Sequence, residues 1–326
     1  MRNKNIQFSF LVIMMLASMV ACKKEEYVIP DPVSQLTNDC IKRTIGPSIV
    51  SLPLEFAYAM AIPKSSGKLV SAQVEASIAG ASGTYLEHRS FYTNSSGVDV
   101  PVVVGSPSLT VDKTTKMTYS IDTNAATLRY NYVIPEGARG QSVSFTFSVT
   151  SSDGKTASYK MGPYTISKMS INRNLAVSNG VNAYISIEDM AVYNAAAAAA
   201  TPGKIDLVYL FRAAPTTFTH ALVSPAADAA YLPGVTLPAG LNRSTKLRKV
   251  FNLQDRNLAN LQFGIYVDDV DLINVDMVDM PNYAIGLRAE AGVWVETADK
   301  KYRAYIFVNS INAAGTAVIS MLRYTL

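Results

Sequence analysis

The residues of this chain whose types could do chemistry are few and scattered. Asp268-Asp269-Val270-Asp271, with Asp276 and Asp279 downstream, is its one acidic cluster. Carboxylates two apart open a calcium loop, which makes Asp269 and Asp271 weak calcium candidates. The glycine that turns such a loop and the glutamate that closes it are both missing, so a solvated loop or helix edge accounts better for the cluster. Two of these acids, or one of them with Glu290 or Glu296, would hydrolyse a glycosidic bond if they stood ~5–9 Å apart. Picking pairs from 25 acids carries no weight. The two histidines, His88 and His220, have no second histidine or cysteine at metal-ligand spacing, and each reads as structural or surface. Ser224, in Val223-Ser224-Pro225, lacks the glycines of a nucleophile elbow. Gly234 and Gly240 flank "VTLPA", which is no phosphate loop. These patterns specify no catalytic residue, no metal and no cofactor.

Two aromatic residues are the candidates for ligand binding. Trp294, the single tryptophan, sits in Val293-Trp294-Val295. Exposed, it would stack on a sugar, although tryptophan is buried more often than not. Tyr231 lies in a stretch from Thr216 to Lys246 that is rich in Pro, Ala and Gly. Long loops in compact domains are often functional. A ligand site is therefore sought at this loop, together with Trp294 and the Asp268 cluster.

The two cysteines are Cys22 and Cys40. Cys40 has no base nearby in sequence and reads as a buried or linker thiol. Cys22 differs because of what precedes it. Arg2 and Lys4 begin the chain, and Ile6 to Val20 is mostly apolar, too short to span a ~30 Å hydrocarbon core. A charged start, a short apolar segment and small residues at its end are a secretory signal. Met19-Val20-Ala21-Cys22 resembles the lipobox of bacterial lipoproteins, in which the cysteine is lipidated and becomes the first mature residue. More than one acyl chain makes such anchoring durable. Lys23-Lys24-Glu25-Glu26 resembles the surface-export patch of Bacteroidetes lipoproteins. The expected partner of this end of the chain is thus the membrane, through lipid on Cys22, with the outer membrane and cell surface as the address.

Composition narrows the rest. The chain has 326 residues, 49% hydrophobic and 17% charged, with 29 basic against 25 acidic side chains. Without Arg2 and Lys4 the balance is about +2, too even for a nucleic-acid partner. Residues 1–21 are the signal peptide, and residues 22–44, with Pro30 and Pro32, read as a lipidated tether. From 45 to 168 short strands alternate with turns. Val70, Ala72, Val74, Ala76 and Ile78 form one face of a period-two run. Val143 to Val149 alternates strictly, and Ser152-Asp153-Gly154-Lys155 is a hairpin turn. About seven such strands predict an immunoglobulin-like β-sandwich, without the Cys–Trp–Cys core of antibody domains.

Residues 171–326 mix periods and predict an α+β domain built on an antiparallel sheet, so the fold class is mainly β with some helix. A helix is expected from Ser186-Ile187-Glu188-Asp189 through Ala195–Ala200 to Pro202-Gly203, and a second at Leu253–Leu261. Strands are expected at 205–211, 283–287, 292–296, 302–308 and 317–324. In Tyr302–Asn309 both faces are largely apolar, which places that strand at the centre of a sheet covered on both sides.

The stretches "DLVYLFR", "HALVSPAA", "YLPGVTLPAG", "EAGVWVETADKKYRAYIFVNS" and "EFAYAMAIPKSSGKLVSAQVEASIAGASGTYLE" resemble an uncharacterised family of Bacteroidetes outer-membrane lipoproteins catalogued as a domain of unknown function. The resemblance implies an exported, lipid-anchored protein with an immunoglobulin-like N-terminal region, and it brings no catalytic residues. The expected function is a non-catalytic binding or interaction module for a glycan or an envelope protein. A structural or adhesive envelope component is the alternative, and a glycan-processing hydrolase the lesser one.

Overall fold

A computed structural model describes residues 35–251 and 266–326. Cys22, Lys23–Glu26 and the expected helix at 253–261 lie outside the described residues. Among the described residues no helix is long and apolar enough to cross a membrane.

The N-terminal half is two antiparallel sheets packed face to face. One orders the strands Thr37–Lys42, Pro53–Ala61, Ala125–Val133 and Tyr85–Leu86; the other orders Thr156–Thr165, Ser142–Ser151, Leu69–Ala76, Thr114–Thr118 and Leu109–Val111. This is the expected immunoglobulin-like sandwich. Alternation puts Phe56, Tyr58, Tyr130, Tyr132, Phe145 and Phe147 inward, where they meet at ring-centroid separations of 4.9–6.4 Å. The buried tyrosine hydroxyls find partners: Asn38 Nδ2 donates to Tyr58 Oη at 2.9 Å, and Tyr132 Oη donates to the Ile78 carbonyl at 3.0 Å.

Two local expectations fail here. Residues 37–42 are not tether but a strand paired to Pro53–Ala61, with Cys40 opposite Tyr58. Val70 does not share the buried face of Ala72 and Val74. A bulge opposite Thr150 and Ser151 shifts the register by one, turning Leu69 in (2% exposed) and Val70 out (39%).

The C-terminal half is a second pair of five-stranded antiparallel sheets. The first orders Ser170–Ser178, Thr316–Thr325, Tyr302–Ile311, Gly292–Glu296 and Lys246–Val250; the second orders Ala191–Asn194, Asn182–Ser186, Leu207–Arg212, Thr219–Val223 and Tyr283–Leu287. The expected antiparallel sheet is thus present twice, and helix is a smaller share than anticipated. Tyr302–Ile311 is central, as its two apolar faces require. Tyr302, Ala304, Ile306 and Val308 fill the space between the sheets, while Tyr305 and Phe307 face the other way into a separate cluster.

The long helix expected from Ser186 is a correction. Ser186 ends a strand, and its hydroxyl accepts the Asp189 N–H at 3.0 Å, so the Ser-x-x-Asp pattern closes a turn rather than opening a helix. The chain returns as the strand Ala191–Asn194. Only then does Ala195–Ala200 become helical, with Asn194 accepting the Ala197 N–H at 2.9 Å as cap.

Ile49 and Leu52 from the first half pack with Met169, Trp294, Tyr305, Phe307, Leu322 and Tyr324, closing the joint between the two sandwiches. The helix Asp269–Asn274 sits beside this joint. Residues 35–326 form one compact unit.

Candidate functional site

The residues suggested by sequence do not meet in one place. Trp294 is 5% exposed, its ring tilted 51° to that of Tyr305 at 4.7 Å between ring centroids, in the joint between the sandwiches. It presents no face to a sugar: its strand is covered on both sides, so either orientation would bury it. Asp268 and Asp271 form a capping box on the Asp269–Asn274 helix. The Asp268 carboxylate accepts the Val270 and Asp271 N–H groups, and Asp271 accepts the Asp268 N–H at 3.0 Å. Asp269 turns away and accepts the Ser167 hydroxyl and, at 2.9 Å, the Lys168 N–H. These carboxylates already serve backbone and hydroxyl donors, which corrects the calcium expectation for Asp269 and Asp271. No group of three or more His, Cys, Asp or Glu among the described residues is placed to share a metal. Glu296, 7% exposed, is held by Arg303 at 3.0 and 2.9 Å.

The stretch 216–246 is not one loop. It holds the strand Thr219–Val223, missed in sequence because a five-residue run buried at four positions has no alternation. Beyond it, residues 225–243 close over the outer face of the second sheet, covering Tyr184, Val208, Leu210, Ala221 and Val223. Tyr231 stacks on Tyr283 at 3.5 Å with the rings 14° from parallel, so one of its faces is already taken. The return of this segment is pinned by a buried network. Asp206, 1% exposed, accepts the Ile187 N–H at 2.9 Å and Arg243 Nε at 2.8 Å. Ser224 donates to the Arg243 carbonyl and accepts the Thr245 N–H at 2.9 Å, so it is structural. Burial pushes the Asp206 carboxyl up to about 6, and the Ile187 and Arg243 donors pull against it. Burial likewise pushes the Cys40 thiol up to about 12, with Asp39 adding to it, which leaves no reactive thiolate.

A concavity among the described residues lies elsewhere, at one end of the C-terminal sandwich. It is a cleft of about 1050 Å³ between the two sheets. Five segments end there. Phe211 closes one strand; Thr216–His220 leads into the next; Lys249 and Phe251 end a third; Gly286–Arg288 ends a fourth; and Ile311–Ala313 is a hairpin turn. Lys249 ties the two sheets together across the cleft by donating to the Ile285 carbonyl at 2.6 Å. Gly286 has φ +65°, and a side chain there would meet the Thr217 carbonyl at 3.0 Å. This close approach lets the Gly286 N–H reach the Phe218 carbonyl at 2.7 Å. Thr219, at φ +41°, holds a conformation rarely taken by a β-branched residue.

His220 forms part of the wall. It is 4% exposed, and its Nδ1 is 2.6 Å from Tyr209 Oη. Burial keeps the tyrosine protonated and lowers the imidazole's affinity for a proton. Tyr209 has no other acceptor among the described residues, so its proton goes to Nδ1 and the neutral ring carries its own proton on Nε2. Phe211 lies against the same ring at 4.7 Å. Sequence reasoning set His220 aside and missed Lys249, Phe251 and Arg288 altogether. They come from separate strands, and no motif links them.

The fold and this cleft define a two-sandwich β protein with a donor-lined cavity between sheet ends. The chain belongs to the DUF4466 family. It is 48% identical to a DUF4466 family protein from Parabacteroides merdae whose structure it matches with a TM-score of 0.84, over 90% of this chain and 100% of that one. Residues 33–166 match the domain of unknown function DUF4466, and residues 167–326 match the domain of unknown function DUF8576. The division falls between the two sandwiches. Partial overlaps with the major pilin subunit of Bacillus cereus (10% identity, 47% of this chain and 46% of that chain, TM-score 0.27) and with a C-terminal fragment of a major pilin of Streptococcus agalactiae (9%, 48% and 66%, 0.28) are too slight to bear on the fold. No curated protein matches the chain.

Proposed function

We propose that this protein is a lipid-anchored binding module of the cell envelope, held at the outer membrane through Cys22, that takes a glycan in the cleft at the end of its C-terminal sandwich. The observation that carries the reading is the lining of that cleft. Phe211 and Phe251 offer apolar ring faces, threonine hydroxyls and Asn312 offer hydrogen bonds, and no aspartate or glutamate is among the described lining residues. A glycosidase needs two facing carboxylates; a sugar-binding site needs rings and donors. The "MVACKKEE" segment supports the anchor.

The test is a glycan array followed by calorimetry on the purified mature chain, with Ala313→Trp as the blocking variant. Ala313 is exposed in a hairpin turn on the cleft rim, so the bulky residue fills the opening without entering the core. Binding that disappears in Ala313→Trp supports the reading. An array without hits, or binding indifferent to the variant, removes it. Cys22→Ala should release the protein from membrane fractions, and retention there would refute the anchor.

An adhesive role has one observation in its favour. The strand Leu109–Val111 is a sheet edge, and Leu109 and Val111 are 69% and 62% exposed, which leaves that edge open to strand addition. A strictly monomeric protein at high concentration would count against it.

A further inference from the structure

The cleft has a charge character that its glycan reading does not require. Lys249 and Arg288 stand on neighbouring rims, and both line the cavity. Burial lowers the proton affinity of Lys249, and the like charge of Arg288 adds to the lowering. No carboxylate among the described residues lies within ion-pair distance of either side chain. Elsewhere the molecule pairs its cations readily: Arg243 with Asp206 and Asp299, Arg303 with Glu296, Arg89 with Glu87, Arg129 with Asp99. Other exposed cations among the described residues also stand unpaired, but here two of like sign share one concavity with no described carboxylate in its lining, an arrangement that favours an anion in the cleft.

The third donor is the stronger sign. The His220 ring is more than nine-tenths buried and its Nδ1 is engaged by Tyr209, while its Nε2 has no protein partner among the described residues and is not sealed off, so it reaches solvent at the cleft. This ring belongs to the cleft wall, where water is the one acceptor its free nitrogen meets in the absence of a ligand. The proton on Nε2 is therefore free to be given to a ligand oxygen that replaces that water. Lys249 is itself fixed in place by the Ile285 carbonyl and lies 5.1 Å over the Phe251 ring, so part of the binding geometry exists before a ligand enters.

We propose, resting on the glycan reading above, that the cleft selects an acidic sugar, with Lys249 and Arg288 taking the carboxylate, His220 Nε2–H donating to a ligand oxygen and the Phe211 and Phe251 rings flanking the pyranose. A sugar carboxylate supplies both what the cations lack and a ring face for the aromatic walls. A free small anion would satisfy the cations alone.

The test uses the mature chain and a panel of oligogalacturonate, oligoglucuronate and a sialylated oligosaccharide. Each is paired with its methyl ester, which keeps the ring and removes the charge, and sodium acetate is the free-anion control. Calorimetry should give affinity at least about tenfold higher for acid than for ester, since charge-assisted hydrogen bonds are at stake. Lys249→Gln with Arg288→Gln should remove that advantage, bringing the acid's affinity down to that of its ester measured on the same variant. Raising the salt from about 50 to 300 mM should weaken the acid only. If ester and acid bind equally and Ala313→Trp abolishes both, the acidic-sugar inference is overturned and the glycan reading stands. If acetate competes as well as the oligosaccharides do, the site is an anion site without sugar selection, and the inference is overturned. If no oligosaccharide of the panel binds while the array yields a neutral ligand, the inference is overturned and the glycan reading stands; if neither yields binding, both fall.

Discussion

Trp294 separates two accounts of this protein, and removing it distinguishes them. If it were a sugar platform, Trp294→Ala would abolish binding and leave the fold intact. The structure requires the reverse. Its indole is 5% exposed, paired across the sheet with Tyr305, and packed where the two sandwiches meet. An aromatic side chain removes roughly 150–250 Å² from water, at about 25 cal/mol per Å², a transfer ceiling of about 4–6 kcal/mol. Large-to-small changes in cores cost about 3–5 kcal/mol, because the surroundings collapse only in part. Against a total stability of about 5–15 kcal/mol, that is a large share. Tm should fall on the order of 10 °C. Denaturant unfolding followed by circular dichroism measures the loss. Trp294 is also the single tryptophan, so in the wild type its emission should be blue-shifted, poorly quenched by acrylamide, and red-shifted only on unfolding. Below its Tm the Ala variant should still bind whatever the cleft binds. A variant of unchanged stability that has lost binding would refute this account of the joint.

Other perturbations follow from single contacts. Gly292→Ala would place a Cβ 2.2 Å from Tyr305 Oη and 2.6 Å from its ring. Tyr305 is fully buried and cannot yield, so a loss of about 1–3 kcal/mol or more is expected in denaturant melts. Asp269→Ala removes the acceptor of the Ser167 hydroxyl and the Lys168 N–H. It should cost about 1–2 kcal/mol and speed amide exchange at Lys168 while exchange at Leu322 stays slow. Asp206 sets a pH dependence. Burial pushes its folded carboxyl up to about 6 from the ordinary 3.8, so the folded state holds the proton more tightly. Its contribution is therefore full below about pH 4 and is lost as pH rises through about 6. Asp206→Asn should flatten the stability profile across that window, and a profile of the same slope in both proteins would show that another group is responsible.

Much of this protein was legible in its residues, and the limits have physical causes. Strict alternation at Val143–Val149 and the two apolar faces of Tyr302–Asn309 located strands correctly, because side-chain direction along a strand is a local property. The same rule failed at Val70, where a bulge set by a partner strand reversed the face. A different rule failed at Ser186, where a helix-capping pattern closed a turn instead. The short buried run Thr219–Val223 had no period to read.

The candidate site was less legible still. Trp294, Tyr231 and Asp269 drew attention by their type, yet burial, stacking and capping are decided by what each residue meets. Lys249, Arg288 and His220 are undistinguished along the chain and become neighbours only when the ends of separate strands converge. The sequence by itself determined the mainly β class, the first sandwich and most of its strands, since propensity and periodicity act over a few residues. Which cations stand without a counter-charge, and which histidine nitrogen lacks a partner, was decided by tertiary structure alone, because pairing across sheets depends on register and topology that no local window contains.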